Sequence, residues 1–526
     1  MEQGQPLGLD ASPAPRLCIQ RRLGEAGAGG QAGAGWRWYD DITVNIYWLA
    51  ISLSAGIITP VLLPYLVLQF MPPEQKNTYL AMVRVIGLVV AMLVNPLAGL
   101  LSDRSTLRWG RRRPFIVAGA ILNIVFLLII GASPGFLGSP LNRVALALFG
   151  VTAAYAVLVV GLTLLQFSSN VAQGALQGLI PDLVPEKRRG RASGVKSVME
   201  LLPSFVVIFV APLIDSGPRG VWLAVGIIMA SFAIAATITA LFVHEERLLV
   251  KPAGSPAGPI VRLVGLTAVF VAATQAAIWI VRASGRLLAT IGAEGVPTQV
   301  AVVGLAGLIG VVGAIFVGVY GGARVGLGPE ARRHSSFVWW VINRVLFLAA
   351  AAAIQGFALY YLRDVVQAPN LGAATARLLA VVSVFLVPSA LAGGYLADRV
   401  GHKRLVGLAG LMAAGGTALL IFARAMPLVY VGGSIIGLAT GMFMATNWAL
   451  GTDLVPKNEA GRYLGISNLA GAGAGIVGVG IGGPMADFFN GLRPGLGYLV
   501  IFGIYLVLFL LSTASLTRVR IAQPSV

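Results

Sequence analysis

Stretches of about twenty mostly apolar residues recur from Thr43 to Leu516, separated by short loops, several of them rich in arginine. A helix of ~20 such residues crosses the hydrocarbon core of a bilayer. Lipid offers no partner to backbone N–H and C=O groups, so a segment that crosses it must satisfy them internally, as a helix does. Barrel strands would read instead as alternating segments of about ten residues, a pattern this chain does not show. Composition agrees, since only 11% of the 526 residues are charged, against ~25% in soluble domains. So few charges cannot coat a water-soluble globule of this size.

We place spans at 43–70, 77–101, 114–132, 146–180, 191–214 and 220–243, then at 261–281 and 298–320, and finally at 337–361, 373–397, 404–423, 428–452, 463–485 and 496–516. The fold class is therefore an all-α membrane protein with about 14 spans, and both termini lie on one side. Residues 1–41 read as a disordered Gly/Ala-rich tail, 42–244 as a first six-helix bundle, 245–336 as a linker carrying two extra spans, 337–517 as a second six-helix bundle, and 518–526 as a short tail.

The net charge of +18 does not point to nucleic acid, because the basic residues sit at the ends of apolar runs and mostly on alternate loops. Arg104, Arg108, Arg111, Arg112 and Arg113 crowd one loop, and Lys187, Arg188, Arg189 and Arg191 the next on that side. Lys and Arg accumulate in cytoplasmic loops, so this side, with both termini, is expected to face the cytoplasm of a plasma (inner) membrane. The single cysteine, Cys18, excludes an intrachain disulfide.

The two halves repeat each other. Gly99-Leu-Leu-Ser-Asp103-Arg104 is answered by Gly394-Tyr-Leu-Ala-Asp398-Arg399, Pro181-Asp-Leu-Val-Pro185 by Thr452-Asp-Leu-Val-Pro456, and Arg189-Gly-Arg-Ala-Ser-Gly194 by Ala460-Gly-Arg-Tyr-Leu-Gly465. Duplicated helical halves are a transporter architecture with the solute site between them near mid-membrane.

The segment Gly394-x-x-x-Asp398-Arg399-x-Gly401-x-Lys403-Arg404 resembles the cytoplasmic loop signature of the major facilitator superfamily. The stretched first copy, Asp103-Arg104-Ser-Thr-Leu-Arg108-Trp109-Gly110-Arg111-Arg112-Arg113-Pro114, resembles the sucrose transporters and their relatives among the glycoside–pentoside–hexuronide cation symporters, as does Phe357-Ala-Leu-Tyr-Tyr-Leu-Arg363-Asp364. The superfamily resemblance runs from about Asp41 onward. It implies a major facilitator fold, two six-helix bundles plus two extra central spans. The extra pair departs from a twelve-helix sugar symporter.

Gly99, Gly110, Gly394 and Gly401, with Asp103, Arg104, Arg111, Asp398, Arg399 and Lys403, form a candidate conformational latch. Gly99 and Gly394 are expected where helices approach closely. Asp103 is expected to face the helix starting near Arg462, and Asp398 the one starting near Arg191, where the helix dipole favours a carboxylate. Arg112 and Arg113 read as topogenic charges only.

Polar groups inside spans are costly and need a reason. Gln166, Asn170, Gln173 and Gln177 share one helix face, which suits either a cavity wall offering donors and acceptors to hydroxyl groups or a set of interhelical hydrogen bonds. Lys196 and Glu200, at i,i+4, read as a proton-coupling pair or a structural ion pair, and Glu200 is the one carboxylate placed well inside a span. Arg344 and Gln355 share a face; Arg344 suits solute binding, pairing with Glu200, or snorkelling. Asn447 and Trp448 are further candidates for the solute site, with packing as the alternative for Trp448, and Asn468 for the cavity wall. Arg84, near the outer third of its span, serves a vestibule or snorkels.

No Walker-type loop, metal-ligand cluster or nucleophile–base arrangement is legible, so the reading is not an enzyme and requires no cofactor or metal. Three functions remain. The first, implied by the resemblance, is a secondary active transporter carrying a sugar or glycoside with a proton, acting as a monomer whose partners are a small-molecule solute, a proton and the lipid bilayer, with no nucleic acid. The others are a proton-driven exporter of amphipathic or lipid-like compounds, favoured by a polar-poor cavity, and a non-transporting pigment- or lipid-binding assembly factor.

Overall fold

A computed structural model describes residues 36–520 except 186–187, 246–247, 249–256, 293–294, 329–330, 332–333 and 456–459; the side chains of 257, 259, 326–327, 398, 460–466 and 468–470 are not described either. Among the described residues, fourteen helices are long and apolar enough to cross a bilayer. They are α1 Asp40–Phe70, α2 Lys76–Asp103, α3 Arg113–Phe136, α4 Ala153–Leu183, α5 Arg189–Ser216, α6 Pro218–Phe242, α7 Ile260–Thr290, α8 Val296–Val325, α9 Ser335–Asp364, α10 Leu371–Ala397, α11 His402–Phe422, α12 Met426–Leu454, α13 Gly471–Leu492 and α14 Leu496–Arg518. An even number of crossings returns the chain to the side on which it started. We call that side the terminal side and the other the far side.

The fourth span differs from the expected 146–180. A separate helix, Leu141–Phe149, ends at Gly150 in the left-handed region (φ 66°), and α4 restarts at Ala153 behind Thr152, whose hydroxyl accepts from the Tyr155 N–H at 3.2 Å. A C-terminal glycine followed by an N-capping threonine divides one apolar run into two elements. The two extra spans are longer than their apolar cores suggested. Their hairpin flanks the second half: Phe270 of α7 lies where side chains on Gly318 of α8 and Gly473 of α13 would otherwise stand, and Met485 of α13 fills the space beside Gly307. α13 also packs on α2, with Leu88 against Gly475 and Val85 against Gly480, which meets Thr274 of α7 as well. The glycine-rich sequence of α13 therefore serves close packing against both the hairpin and α2.

Candidate solute cavity and its gates

A cavity of about 390 Å³ lies where α2 of the first half meets the second half. Its wall is mostly aliphatic, with Leu88, Leu348, Val382 and Ile436 among the lining residues; Arg84, Gln355, Tyr361 and Thr440 are its polar members. Arg84 carries the one formal charge in the lining. Its Nη1 is buried with no hydrogen-bond partner, and it lies directly over Gly356 of α9, where a Cβ would come within 1.6 Å of it. Arg84 thus reaches from the first half across to the second. It lines the cavity, and its Nη1 does not snorkel to solvent. A motif search finds no such residue, because the signal is the pairing of an arginine with a glycine 272 positions away.

Gln355, a sequence candidate, is exposed on the same wall. The glutamine stripe points elsewhere. Asn170 donates to the Gln166 carbonyl at 2.8 Å and accepts from Asn95 of α2 at 3.3 Å, while Gln177 donates to Asn95 at 3.5 Å. Gln166 itself packs on Gly87 of α2, and Gln173 is half-buried on the same helix. Asn170 and Gln177 thus bond α4 to Asn95 of α2.

Arg344 does not meet Glu200. Its Nη1 donates to the Asn447 side chain at 3.1 Å, and its guanidinium lies over Trp448 at 5.3 Å. Asn447 donates to Asn343 at 2.8 Å, and Asn343 donates to Ser512 at 2.8 Å. Asn447, fully buried, is spent inside the second half, which removes it from solute contact in this conformation. Arg344 Nε keeps no partner. Glu200 pairs with Lys196 at 3.2 Å, and Lys196 sits 4.2 Å from the centre of the Trp48 ring of α1. Asn468 lies outside the described side chains.

Between described residues, every hydrogen bond joining the two halves lies at the far side. Asp487, near the end of α13, accepts from the Asn77 N–H at 3.2 Å and the Thr78 N–H at 2.6 Å, at the start of α2. Asp215, at the end of α5, accepts from the Gly372 N–H at 2.9 Å and the Ala373 N–H at 3.0 Å, at the start of α10. The fifth helix of each half caps the second helix of the other, at the same two positions, and the repeat relates the two contacts. Helix N-termini offer unpaired N–H groups and a positive dipole end. Lys76 pairs with Asp364, which also accepts from the Tyr498 hydroxyl at 2.7 Å, and the Tyr360 hydroxyl donates to the Pro64 carbonyl at 2.9 Å.

The terminal side is arranged differently. Asp103 accepts from Arg112 at 2.7 Å, and Arg112 also pairs with Asp182 and donates to the Ala175 carbonyl at 3.3 Å. Arg111 pairs with the same Asp182. Arg112 is buried and central, so it is no mere topogenic charge. It ties α2, α3 and α4 within the first half. Arg113, also buried, donates to the Ala240 carbonyl of α6. Gly110 (φ 105°) leaves room for Glu245, which accepts from the Arg112 and Arg113 N–H groups at 2.9 Å each and so caps α3. Arg104 stands at the C-cap of α2.

In the second copy, Arg399 lies over Tyr395 at 4.6 Å, Lys403 donates to the Val519 carbonyl at 2.8 Å, and Gly401 (φ 95°) ends α10. Asp398 and the helix start at Arg462 lie outside the described side chains. Gly394 faces open space rather than a close neighbour, and the tight α2–α4 crossing is made by Gly174, where a Cβ would stand 2.4 Å from the Asn95 carbonyl; Gly99 is its looser partner.

Two family models match the chain. One, described as MFS/sugar transport protein, covers residues 49–295, and one, described as Major Facilitator Superfamily, covers residues 345–525. Together they span most of both helical halves, and the chain belongs to the major facilitator superfamily. A sucrose transport protein of Oryza sativa subsp. japonica is 35% identical over 112 residues, 21% of each chain. The general alpha-glucoside permease of Schizosaccharomyces pombe is 28% identical over 184 residues, 33% of this chain and 32% of its own length. Human solute carrier family 45 member 4 is 30% identical over 147 residues, 27% of this chain and 17% of its own length. The matched stretches thus span a third or less of these relatives. Among solved structures, a peptide transporter aligns with TM-score 0.62 at 15% identity, covering 93% of this chain and 97% of its own. A nucleoside transporter aligns at 0.59 and 10% identity, covering 91% and 98%. At such identities these likenesses show the fold alone.

Proposed function

We propose that the chain is a secondary active transporter that works by alternating access and carries a sugar or glycoside together with a proton. One observation carries this reading: the hydrogen bonds between the two repeated halves, among the described residues, all lie at the far side, next to a cavity that the second half lines together with Arg84 and Leu88 of α2. A carrier caught facing the terminal side has this form, and rocking the halves about the cavity would exchange the faces. The arginine-rich loops make the terminal side cytoplasmic, so the conformation is inward-facing, in a plasma membrane protein acting as a monomer. The sugar assignment draws on the sucrose and alpha-glucoside relatives. Glu200, with Lys196, is the proposed proton-linked group.

The test is uptake of radiolabelled sucrose and maltose into proteoliposomes, with and without an imposed pH gradient. Gradient-driven accumulation, lost in Glu200→Gln, is the expected result. Gradient-independent uptake unchanged in Glu200→Gln removes Glu200 from the mechanism, and no uptake of any glycoside removes the sugar. The second reading, an exporter of amphipathic compounds, gains from the aliphatic cavity wall. Its mark is efflux of an amphipathic dye from the same vesicles, competed by no sugar.

A further inference from the structure

We infer that Arg84 is the anchor for a single carboxylate on the solute, so that this cavity takes an acidic molecule with a largely apolar body. The inference rests on the transport reading for its biological purpose, but the binding site itself stands without it.

A guanidinium withdrawn from water costs several kcal/mol unless it is paired and hydrogen-bonded. Arg84 is half-buried: among the described residues no carboxylate pairs with it and no hydrogen bond leaves it, and its Nη1 is cut off from solvent. The chain nevertheless makes room for it. Gly356 is bare where any side chain would overlap Nη1, and the cavity opens beside it. A second arginine of the interior, Arg344, also faces no carboxylate, and Glu200 is already matched by Lys196. Among the described residues, neither Arg84 nor Arg344 is paired with a protein carboxylate. A solute carboxylate supplies that pairing with charge-assisted hydrogen bonds, which the flat fork of an arginine makes two at a time. Gln355 and Thr440 are the remaining hydrogen-bonding groups nearby that a solute can reach, and Leu348, Val382 and Ile436 receive its apolar part.

The experiment titrates the full chain in nanodiscs with 3-phenylpropanoate and with its amide, which share shape and differ in charge. We expect the carboxylate to bind at least tenfold more tightly. Arg84→Gln is expected to erase the difference, Arg84→Lys to keep part of it, and Gly356→Ala, whose methyl displaces Nη1 without removing the charge, to weaken carboxylate binding. Equal affinities, a preference that survives in Arg84→Gln, or no binding of either compound overturns the proposal. Should Arg84→Gln fail to fold, Gly356→Ala and the wild-type pair of titrations decide it. Binding of the carboxylate without accumulation in proteoliposomes leaves the site standing and defeats transport. Sucrose accumulation with no carboxylate preference does the reverse.

Discussion

At the scale of single residues, the sequence announced charges well and their partners poorly. Arg112 sits in a run of three arginines, the pattern of a topogenic loop, yet it bridges Asp103 and Asp182 from a buried position. What singles it out is Gly178 of α4, whose missing side chain makes the space: a Cβ there would stand 1.8 Å from Arg112 Cζ. That distance is invisible in one dimension. Gly178→Ala should expel the guanidinium and destabilise the first half by about 1–3 kcal/mol, the range for overpacking, which a thermal unfolding scan of the purified protein checks. Arg112→Lys should cost a similar amount, because an ammonium is a point charge and cannot present two faces to two carboxylates. An unchanged transition in both variants would make the bridge ornamental. Arg344 gives the same lesson. Its spacing from Gln355 was legible, but its bond to Asn447 depends on a helix a hundred residues away.

For whole elements, hydrophobic run length located the spans and most of their ends to within a few residues, the ends of α7 and α13 excepted, because lipid leaves a crossing segment one solution. Where it erred, at 146–180, a local glycine and threonine outweighed the apolar run. Carboxylates at helix N-termini across the gap do occur in the described contacts, at the other end of the bundle; the pairings expected for Asp103 and Asp398 involve residues outside the described side chains. Asp103 and Asp398, at the ends of second helices, were expected to face fifth helices. Asp215 and Asp487, at the ends of fifth helices, face second helices instead. A carboxylate at a helix start contributes roughly 0.3–1 kcal/mol when exposed and up to ~2 when partly buried. Asp487 is the better buried of the two. Asp487→Asn should therefore shift the population toward an open far side by about 5–30-fold, and Asp215→Asn by several-fold less. Distance distributions between spin labels at the far ends of α2 and α10 read this directly. Equal or absent shifts would show that the caps do not hold the gate.

On the scale of the whole molecule, the duplicated halves and the count of spans were written in the sequence as repeated motifs, and the major facilitator fold follows from them. Which face is closed was not, since both conformations use one sequence and differ only in which long-range contacts are made. Gly394 faces open space, as the proposed inward-facing state expects. With Cys18 replaced by serine, a cysteine at Tyr395, 62% exposed on the terminal half of α10, should react quickly with an impermeant maleimide applied from the terminal side. It should slow when Asp487→Asn is added, because opening one face closes the other. A rate indifferent to that second change would uncouple the two ends. The far-side seal has one more implication. Two of its fastenings set a carboxylate on backbone amides rather than on a mobile, solvated cation, and Lys76, the cation of the third, is itself buried. Dissolved ions screen exposed charge pairs far more than such contacts, so the protein should keep its outer door shut with the same grip in fresh water as in brine.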